Sequence, residues 1–159
     1  MSDFKLFCLV NKEIDKEINK GLITELFGDV VCLLQSSYFI INMMNWGLDI
    51  PLQEWKGITV KDGRIKKLDL NNNNIGSEGA KGLVLPPRLE RLDLCFSLIS
   101  DEGAKGLILP PELRILSLFV NNIGDEGVKG LVLPSGLKVL YLCDNNIGNN
   151  GAKELYKIT

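Results

Sequence analysis

The stretch LRILSLFVNNIGDEGVKGL, residues 113–131, decides the fold because its pattern of residue types recurs every 24 residues. Its paired leucines have counterparts in four copies: Leu68-Asp69-Leu70, Leu92-Asp93-Leu94, Leu116-Ser117-Leu118 and Leu140-Tyr141-Leu142. An isoleucine column and a glycine column keep the same period: Ile75, Ile99, Ile123 and Ile147, and Gly79, Gly103, Gly127 and Gly151. A fixed period of this length predicts a repeat protein in which stacked coils share a continuous core.

Each copy is predicted to contain a strand, a turn and a short helix. Leucines two residues apart indicate a strand with one buried face. The predicted helix N-caps form one column: Ser77, Asp101, Asp125 and Asn149. A helix of about two turns falls short of the roughly 12 to 15 residues at which an isolated helix becomes marginally stable. We therefore expect every helix to depend on contact with the neighbouring copies.

The pattern LxxLxLxxNxI, from about residue 63 to residue 159, resembles the leucine-rich repeat family. The resemblance implies an α/β fold, a short solenoid with parallel strands on the concave face and short helices on the convex face. It also implies that Asn73, Asn121 and Asn145 tie the turns after the strands, with Ser97 in their place in the second copy. The helical side is similar to the ribonuclease-inhibitor type of repeat, whereas the Leu-Pro-Pro connection is similar to the LPX bacterial-effector type.

Two domains are expected, a helical N-terminal cap region over residues 1–62 and the repeats over residues 63–159. The segment around Trp46 and Trp55 resembles the N-terminal cap of plant and microbial leucine-rich repeat proteins, in which a W-x-G-[VI]-T strand precedes the first LxL. We expect both tryptophans to cover the end of the solenoid, and a ligand-stacking platform is the alternative. Residues 3–44 are expected to form helices that complete this cap, or else a docking element of the F-box kind.

Composition and charge exclude several classes of function. The 159 residues contain no histidine, which excludes Ser-His-Asp and Cys-His triads and His-based zinc sites. The 18 basic and 20 acidic residues give a net charge of -2, too little positive charge to hold a nucleic acid through its phosphates. The most apolar run is interrupted by polar residues and falls short of a membrane span. We expect no enzyme activity, no cofactor, and no nucleic-acid or membrane partner.

The four cysteines indicate neither a metal site nor a disulfide. They contain no CxxC pair, which argues against a zinc knuckle or a thioredoxin-type motif. Cys95 and Cys143 share a column two copies apart, which places them about 10 Å from each other. A disulfide needs a Cα separation below about 7 Å. We therefore expect free thiols, no metal, and an intracellular, cytoplasmic location.

The strand residues that alternate with the leucines are expected to face the concave surface, where proteins of the family usually bind their partners. The predicted protein-binding residues are Arg91, Asp93, Phe96, Ile115, Ser117, Phe119, Val120, Val139 and Tyr141. In these columns the first two copies are charged, whereas the last two are largely apolar. Folding does not require apolar side chains there, and contiguous exposed apolar patches usually mark interaction surfaces. Drift within a tolerant scaffold is the alternative.

The sequence predicts a non-catalytic protein-interaction module that binds a protein partner or a second copy of itself. Four strands about 4.8 Å apart offer a concave face on the order of 300 Å², whereas a standard interface buries about 800 Å² on each partner. We therefore expect flanking loops, the N-terminal helices or self-association to add area, and the strand edge at residues 139–143 favours a homodimer. The alternative is a structural or assembly component, such as a virion or scaffold protein. The compact mixed repeats favour a protist, microbial or large-virus source, and for a virus a location in the host cytoplasm or the virion.

One cluster of charged residues is the best candidate for an enzyme active site. Asp69 and Asp93 lie beside Lys67 and Arg91 in the predicted columns. Paired carboxylates can share a proton and perform acid/base work when they are buried in a cleft. On an open surface beside two cations, charge pairing across neighbouring strands is the simpler interpretation.

Overall fold

The computed structural model describes Asp29 and residues 55–156, and the predictions for Trp46 and for the helices of residues 3–44 lie outside these residues. The elements are β1 (Ile58–Lys61), β2 (Arg64–Asp69), α1 (Gly76–Lys81), β3 (Arg91–Asp93), α2 (Asp101–Gly106), β4 (Ile115–Ser117), α3 (Asp125–Gly130), β5 (Val139–Tyr141) and α4 (Asn149–Tyr156). Strands and short helices alternate from β2 onward, so the expected α/β solenoid is confirmed. We divide it into coil 1 (residues 65–88), coil 2 (89–112), coil 3 (113–136) and coil 4 (137–156).

The five strands form one sheet in the order β1-β2-β3-β4-β5. β1 pairs antiparallel with β2, and the four strands from β2 to β5 are parallel. Each parallel pair joins residues that are 24 positions apart, so that one column of leucines runs straight across the sheet: Leu68, Leu92, Leu116 and Leu140. The period of the sequence is therefore the register of the sheet.

The core is built from the repeated apolar columns and is complete in the inner coils. The strand leucines of coils 1 to 3 and the isoleucines that follow them are buried, as are the small helix residues Ala80, Ala104 and Val128. In coil 4 the corresponding residues pack on this core but are only partly buried: Leu137, Leu140, Leu142 and Ile147. Trp55 is buried in the same cluster, which confirms that it is a core residue. Each coil therefore owes its burial to the coil that follows it.

The glycine column allows neighbouring helices to approach backbone to backbone. A Cβ placed on Gly103 would lie 2.8 Å from the Cα of Ser77 in the preceding helix. A Cβ on Gly127 would lie 2.9 Å from the Cα of Asp101. Because real side chains do not tolerate such contacts, only glycine fits between the stacked helices at these positions.

The prediction of the helix N-caps is wrong. The N-cap positions of α1, α2 and α3 are Ile75, Ser100 and Gly124, and none of them makes a side-chain capping hydrogen bond. Three of the predicted residues lie in the first turn and reach sideways to the next coil instead: Ser77, Asp101 and Asp125. The Oδ1 of Asp101 accepts from the Gly124 N–H at 2.5 Å, and the Oδ1 of Asp125 accepts from the Gly148 N–H at 2.6 Å. The column therefore caps the neighbouring helix rather than its own.

The asparagine ladder that the family resemblance implied is present in coils 3 and 4. The Oδ1 of Asn121 accepts from the backbone N–H groups of Ser97 (3.2 Å) and Ile99 (2.9 Å) in coil 2. Its amide donates to the carbonyls of Leu94 (2.9 Å) and Leu118 (3.1 Å). One coil later, Asn145 accepts from the Ile123 N–H (3.0 Å) and donates to the carbonyls of Leu118 (2.8 Å) and Leu142 (3.0 Å). These side chains thus bind the buried backbone groups that the turns leave without partners.

Candidate functional site

The sheet register brings the predicted strand residues together on one face. Arg91, Ile115 and Val139 are direct neighbours on β3, β4 and β5, and Asp93, Ser117 and Tyr141 form the next row. Tyr141 is 49% exposed, and Ile115 and Val139 are half-buried. Ser117 differs from the expectation of an exposed contact, because it is buried between its larger row neighbours and its Oγ lies 2.8 Å from the Sγ of Cys95.

The charged half of this face lies on β2 and β3. The Oδ1 of Asp69 accepts from the backbone N–H (3.1 Å) and the side-chain amide (2.7 Å) of Asn71. The Oδ1 of Asp93 accepts from the Cys95 N–H at 3.1 Å, and its Oδ2 lies 3.7 Å from Nη2 of Arg91. Both carboxylates therefore close the turns after their own strands. This role accounts for the pair without any acid/base chemistry.

A shallow hollow of about 250 Å³ lies beside this charged half. Its lining residues come from the β1 approach and from the concave rows: Gly57, Ile58, Thr59, Lys67, Leu68, Asp69 and Arg91. In the described part of the chain, no group of three or more His, Cys, Asp or Glu residues could hold a metal ion. The hollow thus offers two cations and a carboxylate that is already hydrogen-bonded.

The apolar half of the face continues past the strand ends into the turns of coils 2 and 3. The rings of Phe96 and Phe119 meet edge to face, with centroids 5.6 Å apart and planes at 80°. Phe96 is 47% exposed, whereas Phe119 and Val120 are half-buried. Leu98, which was not among the predicted binding residues, is 56% exposed. These residues extend the apolar row of Ile115 and Val139 toward the carboxyl ends of the strands.

Left-handed backbone holds part of this apolar surface. One column has positive φ in all four coils: Asn72 (56°), Phe96 (51°), Val120 (51°) and Asp144 (54°). Leu98 (57°) and Asn74 (46°) form a second such pair. Asn and Asp adopt this conformation readily, whereas for most other L-residues it costs about 1–2 kcal/mol, and a β-branched residue is a clear outlier. Coils 2 and 3 therefore carry apolar residues where the backbone favours Asn or Asp.

The described cysteines are free thiols, as predicted. Cys95 is half-buried beside the apolar half, and Cys143 is exposed on coil 4. Burial, together with the nearby Asp93 carboxylate, raises the pKa of the Cys95 thiol. Cys95 is therefore protonated at neutral pH and unsuited to nucleophilic chemistry.

Two features outside the concave face were not predicted. The first is a column of exposed apolar residues between the helices and the next strands, in which Ile108 is 77% and Val132 is 76% exposed. The same period reveals it in the sequence. The second is Asp29, a buried carboxylate whose Oδ2 accepts from the Ile65 N–H at 2.8 Å and whose Oδ1 lies 3.6 Å from Nη1 of Arg64. Burial raises the pKa of Asp29, although the Ile65 N–H and the Arg64 charge act in the opposite direction.

The edge of β5 leaves backbone donors that are paired in the earlier coils. The N–H groups of Leu70, Leu94 and Leu118 each donate to a carbonyl of the following coil at 2.8 Å. The equivalent N–H of Leu142 has no acceptor among residues 55–156, and the same is true of Asp144, whose counterpart Val120 donates to the Cys143 carbonyl. This edge can therefore accept another strand.

Comparison with known families identifies the repeats. The family described as Leucine Rich repeat matches residues 65–84, 111–132 and 137–155, which correspond to coils 1, 3 and 4. The chain contains leucine-rich repeats. Leucine-rich repeat domains are generally protein-interaction modules, and the family is typically non-enzymatic. A comparison with curated proteins gave no match. Within the described residues, the helices of this leucine-rich repeat protein are too short and too polar to cross a membrane.

Proposed function

We propose that this leucine-rich repeat protein is a non-catalytic interaction module that binds a protein partner through the apolar half of its concave face. The observation that carries the proposal is the unbroken apolar row of Ile115 and Val139, flanked by the exposed ring of Tyr141 and by the Phe96–Phe119 pair. The buried leucines complete the core without these side chains. Exposed apolar surface that folding does not require is typical of an interaction site.

The proposal also covers the N-terminal cap, the type of the repeats and the compartment of the protein. We propose an N-terminal cap of the plant and microbial type over residues 1–62, supported by the burial of Trp55 and by the antiparallel addition of β1 to the sheet. The repeats combine ribonuclease-inhibitor and LPX features. We also propose that the protein works without a cofactor, nucleic acid or membrane, in a reducing intracellular compartment that suits the free thiols of Cys95 and Cys143.

A second candidate function is assembly, and the β5 edge favours it. Two copies could join their β5 strands around a two-fold axis. This would cover the N–H groups of Leu142 and Asp144, which have no acceptor among residues 55–156, and the partly buried leucines of coil 4. Such pairing would give a homodimer or, with a second contact, a structural component such as a scaffold.

One pair of variants tests the proposed function. Phe119→Asp combined with Tyr141→Asp places two charges in the apolar half and should reduce capture of partners from the native source by more than about tenfold. The control combines Ile108→Asp with Val132→Asp, which adds the same charges to the unpredicted outer column. Circular dichroism verifies that both variants are folded. If the variant with Phe119→Asp and Tyr141→Asp captures as much partner as the wild type, the proposal is contradicted. If that variant still captures partners but no longer sediments as a dimer, assembly is favoured.

A further inference from the structure

The turns that follow β3 and β4 carry a group of apolar side chains. Phe96, Leu98 and Val120 form what we call the apolar ridge, at the carboxyl ends of these strands. We infer that the apolar ridge anchors a short, uncharged segment of another protein through apolar side chains. This inference rests on the proposed function and names the kind of partner that the concave face takes.

The four coils carry different residue types at one backbone position. Asn72, Phe96, Val120 and Asp144 all have φ between 51° and 56°. The outer two positions carry the residue types that this conformation favours, whereas the inner two carry a phenylalanine and a β-branched valine. Because folding alone favours Asn or Asp here, the apolar residues have a role other than stability. Sparsely populated backbone of this kind is concentrated at ligand-binding positions.

The strained side chains of Phe96 and Leu98 are exposed rather than buried. Phe96 is 47% exposed and Leu98 is 56% exposed. Burial in the core therefore does not offset the free-energy cost of the left-handed backbone at either residue. The edge-to-face contact of Phe96 with Phe119 holds the ring in place above the sheet. A rigid aromatic anchor beside aliphatic side chains is the usual composition of a binding hot spot.

The chain around the apolar ridge favours an uncharged partner. Every residue from 94 to 100 and from 118 to 124 is uncharged. The charged strand residues of the face lie on β2 and β3, ahead of the ridge along each coil: Lys67, Asp69, Arg91 and Asp93. Coil 4 adds the exposed Asp144 in the column of Phe96 and Val120. A charged group docked against the three ridge side chains themselves would lose its hydration without gaining a hydrogen bond from them. The segment that fits is therefore uncharged and apolar where it touches the ridge.

The area of the concave face favours a short segment over a second folded copy as the occupant. The whole concave face is on the order of 300 Å² by strand spacing, and a stable interface between folded proteins needs about 800 Å² on each side. The β5 edge, which suits a second copy, belongs to coil 4 and not to the apolar ridge. A short extended segment can be held by a few apolar anchors on a surface of this size.

A triple variant separates binding from stability. Phe96→Asn, Leu98→Asn and Val120→Asn together give the apolar ridge the residue types of coils 1 and 4. We expect the midpoint of thermal unfolding to stay unchanged or to rise by a few degrees, because the left-handed strain is relieved. The matched control is Ile108→Asn with Val132→Asn, which removes exposed apolar surface where no positive φ is involved. A single Val120→Asn variant repeats the stability test with the least disturbance.

The binding probe is a phage-displayed library of random peptides selected on the full wild-type chain. We expect the selected peptides to carry two or more aliphatic or aromatic side chains without charge between them. They should bind the ridge variant at least about tenfold more weakly than the wild type, and the control variant within about twofold. Failure to select any peptide, selection of charged peptides, or equal binding to the ridge variant would each overturn the inference.

Two other results also count against the inference. A clear fall in the unfolding midpoint of Val120→Asn would show that the apolar side chain serves the fold. If the wild type sediments as a dimer and the ridge variant sediments as a monomer, the occupant of the ridge is a second copy of the chain. If the ridge variant keeps its peptides while Phe119→Asp with Tyr141→Asp loses the native partner, the proposed function stands and only the ridge inference fails.

Discussion

The junction between coils 1 and 2 and the junction between coils 2 and 3 join the same columns but are built differently. Between coils 2 and 3, Asn121 accepts from two backbone N–H groups of coil 2, and Ser100 forms a parallel bridge with Asn122. Between coils 1 and 2, Ser97 occupies the ladder position and donates only to carbonyls, those of Leu70 and Cys95. A hydroxyl on a short stem cannot reach both N–H groups that an amide oxygen reaches.

The backbone of coil 1 differs where the ladder contact is missing. The N-caps of α2 and α3, Ser100 and Gly124, are extended, whereas the N-cap of α1, Ile75, is already helical and is followed by Gly76 with φ of 65°. Among the described residues, no acceptor lies within hydrogen-bonding distance of the Ile75 N–H, whereas its counterpart Ile99 donates to Asn121. One residue type at the ladder position thus decides how the chain enters the next helix.

The largest expected effect comes from breaking the better junction. Asn121→Ala leaves the N–H groups of Ser97 and Ile99 buried without acceptors, and each such group costs about 1–3 kcal/mol. We expect the free energy of unfolding, measured by denaturant titration, to fall by about 2–4 kcal/mol. The control is Asn122→Ala at the exposed neighbouring position, for which we expect a change within about 0.5 kcal/mol. Similar losses for the two variants would mean that the ladder does not stabilise the junction.

A smaller effect of opposite sign is expected from repairing the weaker junction. Ser97→Asn supplies an amide oxygen to the Ile75 N–H, as Asn121 does for Ile99. One added buried hydrogen bond is worth about 1 kcal/mol, so the free energy of unfolding should rise by about that amount. Amide hydrogen exchange at Ile75 should slow in the same variant. Unchanged exchange at Ile75 together with a loss of stability would show that coil 1 excludes the larger side chain.

Much of this architecture could be predicted from the sequence because it depends on periodic burial. The 24-residue columns gave the strands, the parallel register and the buried leucines, since a buried position excludes polar residues in every coil. The helix N-caps could not be predicted. Asp101 and Asp125 are of a residue type that is common at N-caps, but their carboxylates accept from N–H groups of the next coil. Which side chain reaches which N–H depends on how closely the coils stack, and that distance is not a property of one copy.

The candidate site could be predicted only in outline. The rows of Arg91, Ile115 and Val139 follow from the register, whereas the burial of Ser117 follows from the size of its neighbours on the adjacent strands. The left-handed turns at Phe96 and Val120 could not be inferred from these residues themselves, which disfavour that conformation. Their counterparts Asn72 and Asp144 carried the signal, because Asn and Asp in the same column are typical of left-handed backbone.

The start of coil 1 extends the comparison to a group that titrates. In coils 2, 3 and 4 the first core residue donates its N–H to a proline carbonyl three positions earlier, as Leu89 does to Pro86 at 3.1 Å. Coil 1 has no such proline turn, and its Ile65 N–H donates to the carboxylate of Asp29 instead. Of the four equivalent contacts, this is the one with an ionisable acceptor, so it is the one whose strength should respond to pH.

The smallest expected effect is therefore a pH dependence that belongs to Asp29. Burial raises its pKa in the folded protein, whereas the unfolded carboxyl has a pKa of about 3.9. The folded state thus binds the proton more tightly, and the stabilisation is fully present below pH of about 4 and is lost as pH rises through the raised pKa.

Asp29→Asn keeps an oxygen for the Ile65 N–H but cannot titrate. The stability of the wild type relative to this variant should fall with rising pH in denaturant titrations, while Asp62→Asn, in the exposed β1–β2 turn, controls for the loss of a nearby charge. A wild-type advantage that instead grows with pH would mean that the Arg64 ion pair outweighs burial at this contact.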